Sequence, residues 1–272
     1  MEFRRRKARE PLAGFVSLLW YWDGPARPHA FERLLPDGSM ELVINLREDE
    51  IRVYDRRDLN RFERLEAAAL VGSHSEYFVI DTAEQDCVMG VHFRPGGAFP
   101  FMRLPACELH GQHVSMRELW GGFARELRDR VLGARTIEQR FDVLEAALTA
   151  RVARPLAHHP AVAYALREFC DGGTRTVAEV IDTTGLSARR FIELFKQQVG
   201  MPPKQYCRVR RFQRVISGLG PPPSVDWATV AAENGYFDQA HLIHEFRAIS
   251  GLSPGEYLGL RTEHLNHVPI HV

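Results

Sequence analysis

The last third of the chain contains the sequence AEVIDTTGLS at residues 178–187, and a related sequence, ATVAAENGYF, follows at residues 228–237. In this internal repeat Gly235 stands 50 residues after Gly185. Two copies of one pattern predict two copies of one supersecondary unit. Matching residues continue beyond the copies, namely Phe191, Phe195, Gly200, Pro203 and Tyr206 after the first, and Leu242, Phe246, Gly251, Pro254 and Tyr257 after the second.

Each copy predicts a helix, a tight turn and a second helix. Gly185 and Gly235 stand where the first helix ends, a position whose left-handed backbone favours glycine. Ser187 and Asp238 are suitable N-cap residues for the second helix. Apolar residues at helical spacing face inward, so polar side chains remain on the outer face of each second helix. These outer residues are Arg189, Arg190, Glu193 and Lys196 in the first copy, and Gln239, His241, His244 and Arg247 in the second.

A helix-turn-helix presents such a face to the major groove of DNA, where the base edges can be told apart. We therefore predict that the outer residues bind DNA. A linking helix from about Pro203 to Ser217 would join the units and place their second helices in successive grooves, roughly 34 Å apart. The alternative is a plain helical bundle with solvated polar faces, which two matched copies and a basic linking helix disfavour.

The charge of the whole chain is balanced, with 35 basic and 35 acidic residues, but the first unit is basic. A neutral protein has no general field that attracts phosphate, whereas a local basic stripe can bind it. Between Ser187 and Arg214 the acidic residue is Glu193 alone. The basic residues of this stretch are Arg189, Arg190, Lys196, Lys204, Arg208, Arg210, Arg211 and Arg214.

The region from about Thr174 to Tyr257 resembles the DNA-binding domain of the AraC/XylS family of regulators. The resemblance rests on the sequences GYFDQAHL at residues 235–242 and GLSPGEY at residues 251–257. It implies a cytoplasmic bacterial transcription factor, with double-stranded DNA as a partner and RNA polymerase as a plausible one. The sequence GVHFRPGG at residues 90–97 resembles an uncharacterised β-rich, sensor-like domain that is often attached to such regulators.

The chain departs from the family at Glu193, where family members often carry arginine. Glutamate can accept a hydrogen bond from the amino group of cytosine. It can instead pair with Arg189 or Arg190, which lie on the same face of the predicted helix. The base preference of the first unit stays open at this point.

The first hundred residues predict β structure, because short apolar or alternating runs are separated by glycine and proline. We expect an α+β protein with a β-rich, barrel-like N-terminal domain, for which a cupin is one possible form, and an all-α C-terminal domain of two helix-turn-helix units. The predicted domains cover residues 1–110, 111–159 (a helical connector) and 160–272, with a proline-containing linker at residues 154–160. The predicted strands cover residues 15–22, 41–46, 51–54, 67–72, 77–81 and 88–93.

The connector predicts two amphipathic helices, and Thr136 with Gln139 forms the pattern of a capping box before the second. Apolar residues such as Leu144 and Leu148 recur at helical spacing in that second helix. Their stripe needs a partner, which is either the chain's own β domain or the same helix of a second subunit, and we favour the second subunit. A homodimer is expected, since symmetric pairing is the commonest oligomer. Further on, glycine and proline predict breaks at Asp171 to Gly173 and at Gly220 to Ser224.

Other candidate sites are weaker. Cys107-x-x-His110-x-x-His113 has metal-binding residue types, but a fourth ligand is not evident. The carboxylates of Asp37, Glu41 and Asp55 are expected to be solvated. We predict no catalytic residue, no metal and no cofactor. Four scattered cysteines indicate a reduced, cytoplasmic protein, and no stretch approaches the roughly 20 apolar residues of a membrane-spanning helix.

Three functions remain open from the sequence. The first is a regulator that responds to a small-molecule effector in the N-terminal domain. The second is a DNA-binding regulator, for example an activator, whose N-terminal domain only dimerises. The third is a metal-dependent sensor or an enzyme domain fused to a DNA reader.

Overall fold

The computed structural model describes residues 2–25, 30–170, 175–220 and 225–270. Within these ranges the N-terminal part is β-rich and the C-terminal part is mostly helical. The predicted breaks at Asp171 to Gly173 and at residues 221–224 lie outside the described residues. No helix among those described is long and apolar enough to cross a membrane.

The described strands form two antiparallel sheets. The first sheet has the strand order β1-β2-β9-β4-β7-β10, and the second has the order β11-β3-β8-β5-β6. The strands are β1 (Glu2–Arg6), β2 (Val16–Asp23), β3 (Phe31–Leu34), β4 (Glu41–Asn45), β5 (Glu50–Asp55), β6 (Asp58–Glu66), β7 (Ala68–Val71), β8 (Phe78–Asp81), β9 (Cys87–Phe93), β10 (His113–Ser115) and β11 (His267–Ile270).

The described helices fall into a connector group and a C-terminal group. The connector group is α1 (Met116–Trp120), α2 (Phe123–Gly133) and α3 (Ile137–Ala150). The C-terminal group is α4 (Pro160–Cys170), α5 (Val177–Thr184), α6 (Ala188–Val199), α7 (Pro203–Gly218), α8 (Trp227–Glu233), α9 (Gln239–Ser250) and α10 (Pro254–Leu260). Short 3₁₀ helices lie at Leu12–Gly14, Phe99–Phe101 and Ala106–Leu109.

The predicted α+β fold is confirmed, and its barrel-like region consists of two sheets that do not join into a closed barrel in the described chain. One face of the first sheet supplies buried residues such as Leu19 and Ile44 to a core shared with the connector helices. The opposite face turns Val43 and Trp20 toward the second sheet. The alternation of side chains along each strand therefore gives the first sheet two different neighbours.

The predicted N-cap of α3 is present, because the Thr136 hydroxyl accepts a hydrogen bond from the backbone N–H of Gln139 at 3.2 Å. Phe141, Leu144 and Leu148 are at most 1% exposed, in the core beneath the first sheet. The apolar stripe thus packs on the chain's own β domain. This corrects the alternative in which the leucines pair with a second subunit, since they are not at the surface.

The end of the chain returns to the β domain. Strand β11 follows α10 and pairs with β3, with His267 opposite Leu34 and Ile270 opposite Phe31. Val268 of this strand is fully buried in the same cluster as the residues of α9 and α10. Residues after the last helix therefore connect the second predicted unit directly to the N-terminal sheet.

Candidate DNA-binding surface and effector cavity

The two predicted helix-turn-helix units have matching turns. Gly185 and Gly235 both adopt φ +70°, the left-handed backbone that favours glycine. The Ser187 hydroxyl accepts from the backbone N–H of Arg190 at 3.3 Å. The Asp238 carboxylate accepts from the backbone N–H of His241 at 2.7 Å. Each unit is thus helix, glycine turn, capped helix, as α5–α6 and as α8–α9.

Most of the predicted DNA-binding side chains are exposed. In α6 these are Arg189, Arg190 and Glu193, and in α9 they are Gln239, His244 and Arg247; Lys196 and His241 are half-buried. Basic residues in a first helical turn oppose the helix dipole, and α6 has no acidic residue there. The unfavourable interaction of these basic residues with the helix dipole would be offset by an anion such as a phosphate at the N-terminus of the helix.

Glu193 pairs with its own helix. Its carboxylate lies 3.9 Å from the Arg190 guanidinium and accepts a hydrogen bond from the Gln197 amide at 3.4 Å. All three side chains are at least partly exposed, so these contacts are weak and can be exchanged for contacts with a base.

His241 differs from the other candidates, because its ring has structural contacts. Its Nδ1 accepts from the backbone N–H of Phe237 at 3.2 Å, and the ring lies edge-on to Tyr236. Phe237 itself is 91% exposed, just before the N-cap of α9. Phe237 was not among the predicted DNA-binding residues; the signal for it is an aromatic residue in a turn, where no core position requires one.

Several arginines of the linking helix α7 make contacts with other parts of the protein. Arg208 forms two hydrogen bonds with the Glu245 carboxylate of α9, at 2.5 and 3.0 Å. Arg210 donates to the backbone carbonyl of Asp37 at 3.3 Å, and the Arg211 guanidinium lies over the Tyr236 ring. The predicted basic stripe is therefore divided between an exposed part on α6 and arginines of α7 that contact the second unit or the β domain.

Both second helices rest on the β domain by their C-terminal ends. Residues 72–77, which we call the docking loop, connect β7 to β8. A Cβ on Gly200, after α6, would lie 2.5 Å from the Ser73 hydroxyl, and a Cβ on Gly251, after α9, would lie 2.6 Å from the Tyr77 ring. The Tyr77 N–H also donates to the Ile249 carbonyl at 2.8 Å. The N-terminal ends, which read bases in helix-turn-helix proteins, remain exposed.

A cavity of about 350 Å³ lies between the two sheets. It is lined by the first sheet, through residues such as Trp20 and Glu41, and by the second, through residues such as Glu32 and Phe78. Its wall also includes His264, Asn266 and His267 from the C-terminal segment. A neighbouring space shares several of these residues and reaches Gln213 of α7. The volume of the cavity and its largely apolar walls with a few polar groups are typical of a small-molecule pocket.

One side of the cavity carries a charged cluster. His92 Nε2 lies 3.0 Å from the Asp37 carboxylate, and Nδ1 lies 3.6 Å from the Glu41 carboxylate. Burial alone would lower the pKa of His92, but hydrogen bonds with both carboxylates raise it well above its usual value. The expectation that Asp37 and Glu41 are solvated was wrong, because the cavity wall half-buries both.

The Cys107, His110 and His113 pattern does not assemble into a metal site. His110 Nδ1 is 3.2 Å from the Ser73 hydroxyl, whereas His113 packs edge-on against Phe78. Among the described residues, no group of three or more histidine, cysteine, aspartate and glutamate side chains is placed to hold a metal ion.

Comparison with known families gives one match in the N-terminal part of the chain and another in the C-terminal part. Residues 180–259 match a family described as a helix-turn-helix domain. Residues 4–115 match a family described as a domain of unknown function, DUF6597. No curated protein matches the chain.

The chain also resembles solved structures of ToxT from Vibrio cholerae at low identity. An apo form of a ToxT variant is 11% identical, with 95% of this chain and 97% of that chain covered and a TM-score of 0.44. ToxT bound to an unsaturated fatty acid is also 11% identical, with 94% of each chain covered and a TM-score of 0.44. This level of likeness does not carry a ligand from one protein to the other.

The repeat, the matched turns and the family match all indicate a helix-turn-helix domain in the C-terminal region. The described chain therefore carries a C-terminal helix-turn-helix domain, as its resemblance to the AraC/XylS regulators predicted, behind an N-terminal domain that matches the uncharacterised family.

Proposed function

We propose that this chain is a sequence-specific transcription regulator whose DNA binding is controlled by a small molecule in the cavity between the sheets. The observation that carries the proposal is that the cavity wall is continuous with the segments on which both helix-turn-helix units rest. Val71 and Phe78 line the cavity, and they flank the docking loop on either side.

The C-terminal segment supplies a second connection from the cavity to the DNA-binding domain. Asn266 lines the cavity, and its side-chain oxygen accepts from the Gln213 amide of α7 at 3.0 Å. Gln213 also donates to the Pro36 carbonyl at 2.8 Å, next to Asp37 of the cavity wall. A ligand would change DNA binding only by favouring one arrangement of these contacts over another.

The experiment that tests DNA reading compares alanine variants in binding titrations at several salt concentrations. Arg189→Ala and Gln239→Ala should each weaken specific binding by about 1–3 kcal/mol, if these side chains read bases. Lys196→Ala should weaken binding to all sequences alike and reduce the salt dependence. Arg61→Ala is the matched control, since Arg61 is 80% exposed on β6 of the other domain. Unchanged affinity in all three test variants would overturn the assignment.

The partners follow from the same proposal. Double-stranded DNA is bound by the outer residues of α6 and α9, and we propose that two chains bind one operator as a homodimer that contacts RNA polymerase in the cytoplasm. Because the leucine stripe of α3 is buried, the dimer must use another surface. Sedimentation on operator DNA measures the number of chains bound; a single chain per operator contradicts the dimer.

A metal-dependent sensor or enzyme fused to a DNA reader is the alternative. It requires metal or turnover in the N-terminal domain. Elemental analysis of the purified full chain distinguishes the two, because one equivalent of bound metal would favour the alternative.

A further inference from the structure

We propose that Phe237 contacts the C5-methyl group of a thymine in the major groove, as the apolar base contact of the second helix-turn-helix unit. The inference rests on the proposed function in that the second helices bind DNA; it adds a base preference and the residue that supplies it. The exposure of the ring, its position in the turn and the fixed backbone around it support the proposal.

The Phe237 ring is far more exposed than the other large apolar side chains that the structure describes. It is 91% exposed, whereas Phe3, the next most exposed of them, is 48% exposed. A hydrophobic residue just before an N-cap often packs on the fourth residue of the helix. In α9 that residue is Leu242, which is fully buried, and a ring that is 91% exposed does not make this contact. Packing within the domain therefore does not account for a phenylalanine at this position.

Phe237 is the residue by which the turn of the second unit is longer than that of the first. In the first unit the N-cap, Ser187, comes two residues after the turn glycine, Gly185. In the second unit the N-cap, Asp238, comes three residues after Gly235. The residue directly after each glycine packs on the apolar core of its unit. The added position, which belongs to the second unit alone, is therefore occupied by Phe237.

The backbone on both sides of Phe237 is held in place. Tyr236 is 6% exposed, in the apolar cluster of the second unit. The Asp238 carboxylate accepts from the backbone N–H of His241 at 2.7 Å, and the backbone N–H of Phe237 donates to His241 Nδ1 at 3.2 Å. With both neighbours held, the exposed ring has a defined place at the N-terminal end of α9. Such a preorganised apolar group loses little conformational entropy on binding.

The ring is continuous with the predicted DNA-binding face of α9. Gln239 begins this helix two residues after Phe237 and is also exposed. The N-terminal residues of a recognition helix are the ones that contact base edges. Thymine is distinguished in the major groove by its C5-methyl group, which phenylalanine can contact, whereas glutamine pairs with adenine. Phe237 and Gln239 together therefore favour A·T base pairs under the second unit.

The test uses the full chain and a DNA duplex that the full chain selects from a random pool. Each thymine of this duplex is replaced in turn by uracil, which removes the methyl group alone. We expect at least one replacement to weaken wild-type binding about four-fold, the contribution of one buried methyl group. Phe237→Ala should weaken binding to the unmodified duplex about ten-fold. In this variant the same uracil replacement should have no further effect, because the ring that contacts the methyl group is absent.

Three further measurements distinguish a base contact from other roles of the ring. Phe237→Leu keeps an apolar side chain and should retain most of the difference between thymine and uracil. Phe237→Ala should leave the salt dependence of binding unchanged, because the ring carries no charge. Phe62→Ala is the matched control, since Phe62 is an exposed phenylalanine on β6 of the other domain, and it should bind the duplex like the wild type.

Two results would overturn the inference while DNA binding by the chain stands. The first is equal affinity of Phe237→Ala and the wild type for the unmodified duplex. The second is an equal effect of every uracil replacement in the two proteins, which would mean that the ring contacts a sugar or is inserted between bases. If the chain selects no duplex from the pool, both the inference and the proposed function fail. If Phe237→Ala does not fold by circular dichroism, Phe237→Ser takes its place.

Discussion

The two helix-turn-helix units share a backbone and differ in chemistry. Their turn glycines have the same φ of +70°, and each second helix begins at a capping side chain. The first unit presents Arg189 and Arg190 in its first turn, whereas the second presents Gln239 and no arginine or lysine there. The same backbone arrangement, repeated within one chain, can therefore carry two different DNA-binding surfaces. We expect the first unit to contribute more of the salt-dependent affinity for DNA.

The units also differ in how they are held on the β domain. The first is held where Gly200 meets Ser73 and Met40. The second is held where Gly251 meets Tyr77, and in addition by the C-terminal strand that lines the cavity. A change in the cavity should therefore reach the second unit more directly than the first.

The largest expected effect is a difference in stability loss between two pairs of glycines. Gly200 and Gly251 follow the second helices, whereas Gly185 and Gly235 form the turns. Gly185→Ala and Gly235→Ala meet open space, so left-handed strain alone should cost about 1–2 kcal/mol. Gly200→Ala and Gly251→Ala add a collision with the docking loop, which should raise the cost to about 2–4 kcal/mol. Urea denaturation measures the free energy of unfolding of all four variants. Similar losses of unfolding free energy in all four variants would mean that Gly200 and Gly251 do not pack tightly against the docking loop.

A double-mutant cycle sharpens the same comparison. Tyr77→Ala removes the ring beside Gly251 and leaves the surroundings of Gly235 and Gly200 unchanged. It should therefore reduce the cost of Gly251→Ala and leave the cost of Gly200→Ala as it was. A coupling energy of zero between positions 77 and 251 would contradict the proposed contact of the second unit with the docking loop.

The second prediction concerns pH and the docking loop that both units share. Burial, with the nearby His113, lowers the pKa of His74 to about 3, and burial lowers that of His113 to about 4. In the unfolded chain both titrate near pH 6.5, so the unfolded state takes up protons first as the pH falls. The free energy of unfolding therefore decreases between about pH 6.5 and 4. His113→Gln should lessen this loss by at most about 2 kcal/mol at pH 5.

The pH experiment compares the variant with the wild type, because other groups act in the opposite direction. Burial raises the pKa of Glu84 to about 7, which favours the folded state at low pH. Such contributions cancel when wild type and variant are subtracted. The protection factors of the Gly200 and Gly251 amides, which correct for the slower intrinsic exchange in acid, should fall together, since one loop holds both. Parallel stability curves for wild type and His113→Gln would contradict the prediction.

The smallest expected effect tests whether the two caps are equivalent. Ser187→Ala and Asp238→Ala each remove a side-chain acceptor from the first turn of a recognition helix, which typically costs about 1 kcal/mol. Asp238 also places a negative charge at the N-terminus of α9, so its loss should cost slightly more. Thermal unfolding measures both variants, with Ser187→Asp as the matched control for the charge. A stabilised Ser187→Ala variant would show that the hydroxyl is not a cap.

The amino-acid sequence by itself determined the two helix-turn-helix units and the strands whose side chains alternate between a buried and an exposed face. The repeat, the glycine turns, the caps and the linking helix all depend on contacts within a few residues, and the linking helix was predicted nearly to its observed end at Gly218. The predicted strands with a buried, alternating face were likewise found. The charged strand β6 was missed because its side chains are mostly exposed, which leaves no apolar period.

Tertiary structure alone decided the cavity and its connections. Glu32, Asp37, Glu41 and His92 stand on separate segments and look like ordinary surface residues, until two sheets bring them to one wall. Strand β11 was missed because it pairs with β3, more than 230 residues earlier in the chain. Such contacts depend on where the chain folds back, and neither propensity nor periodicity, which act over a few residues, carries that information.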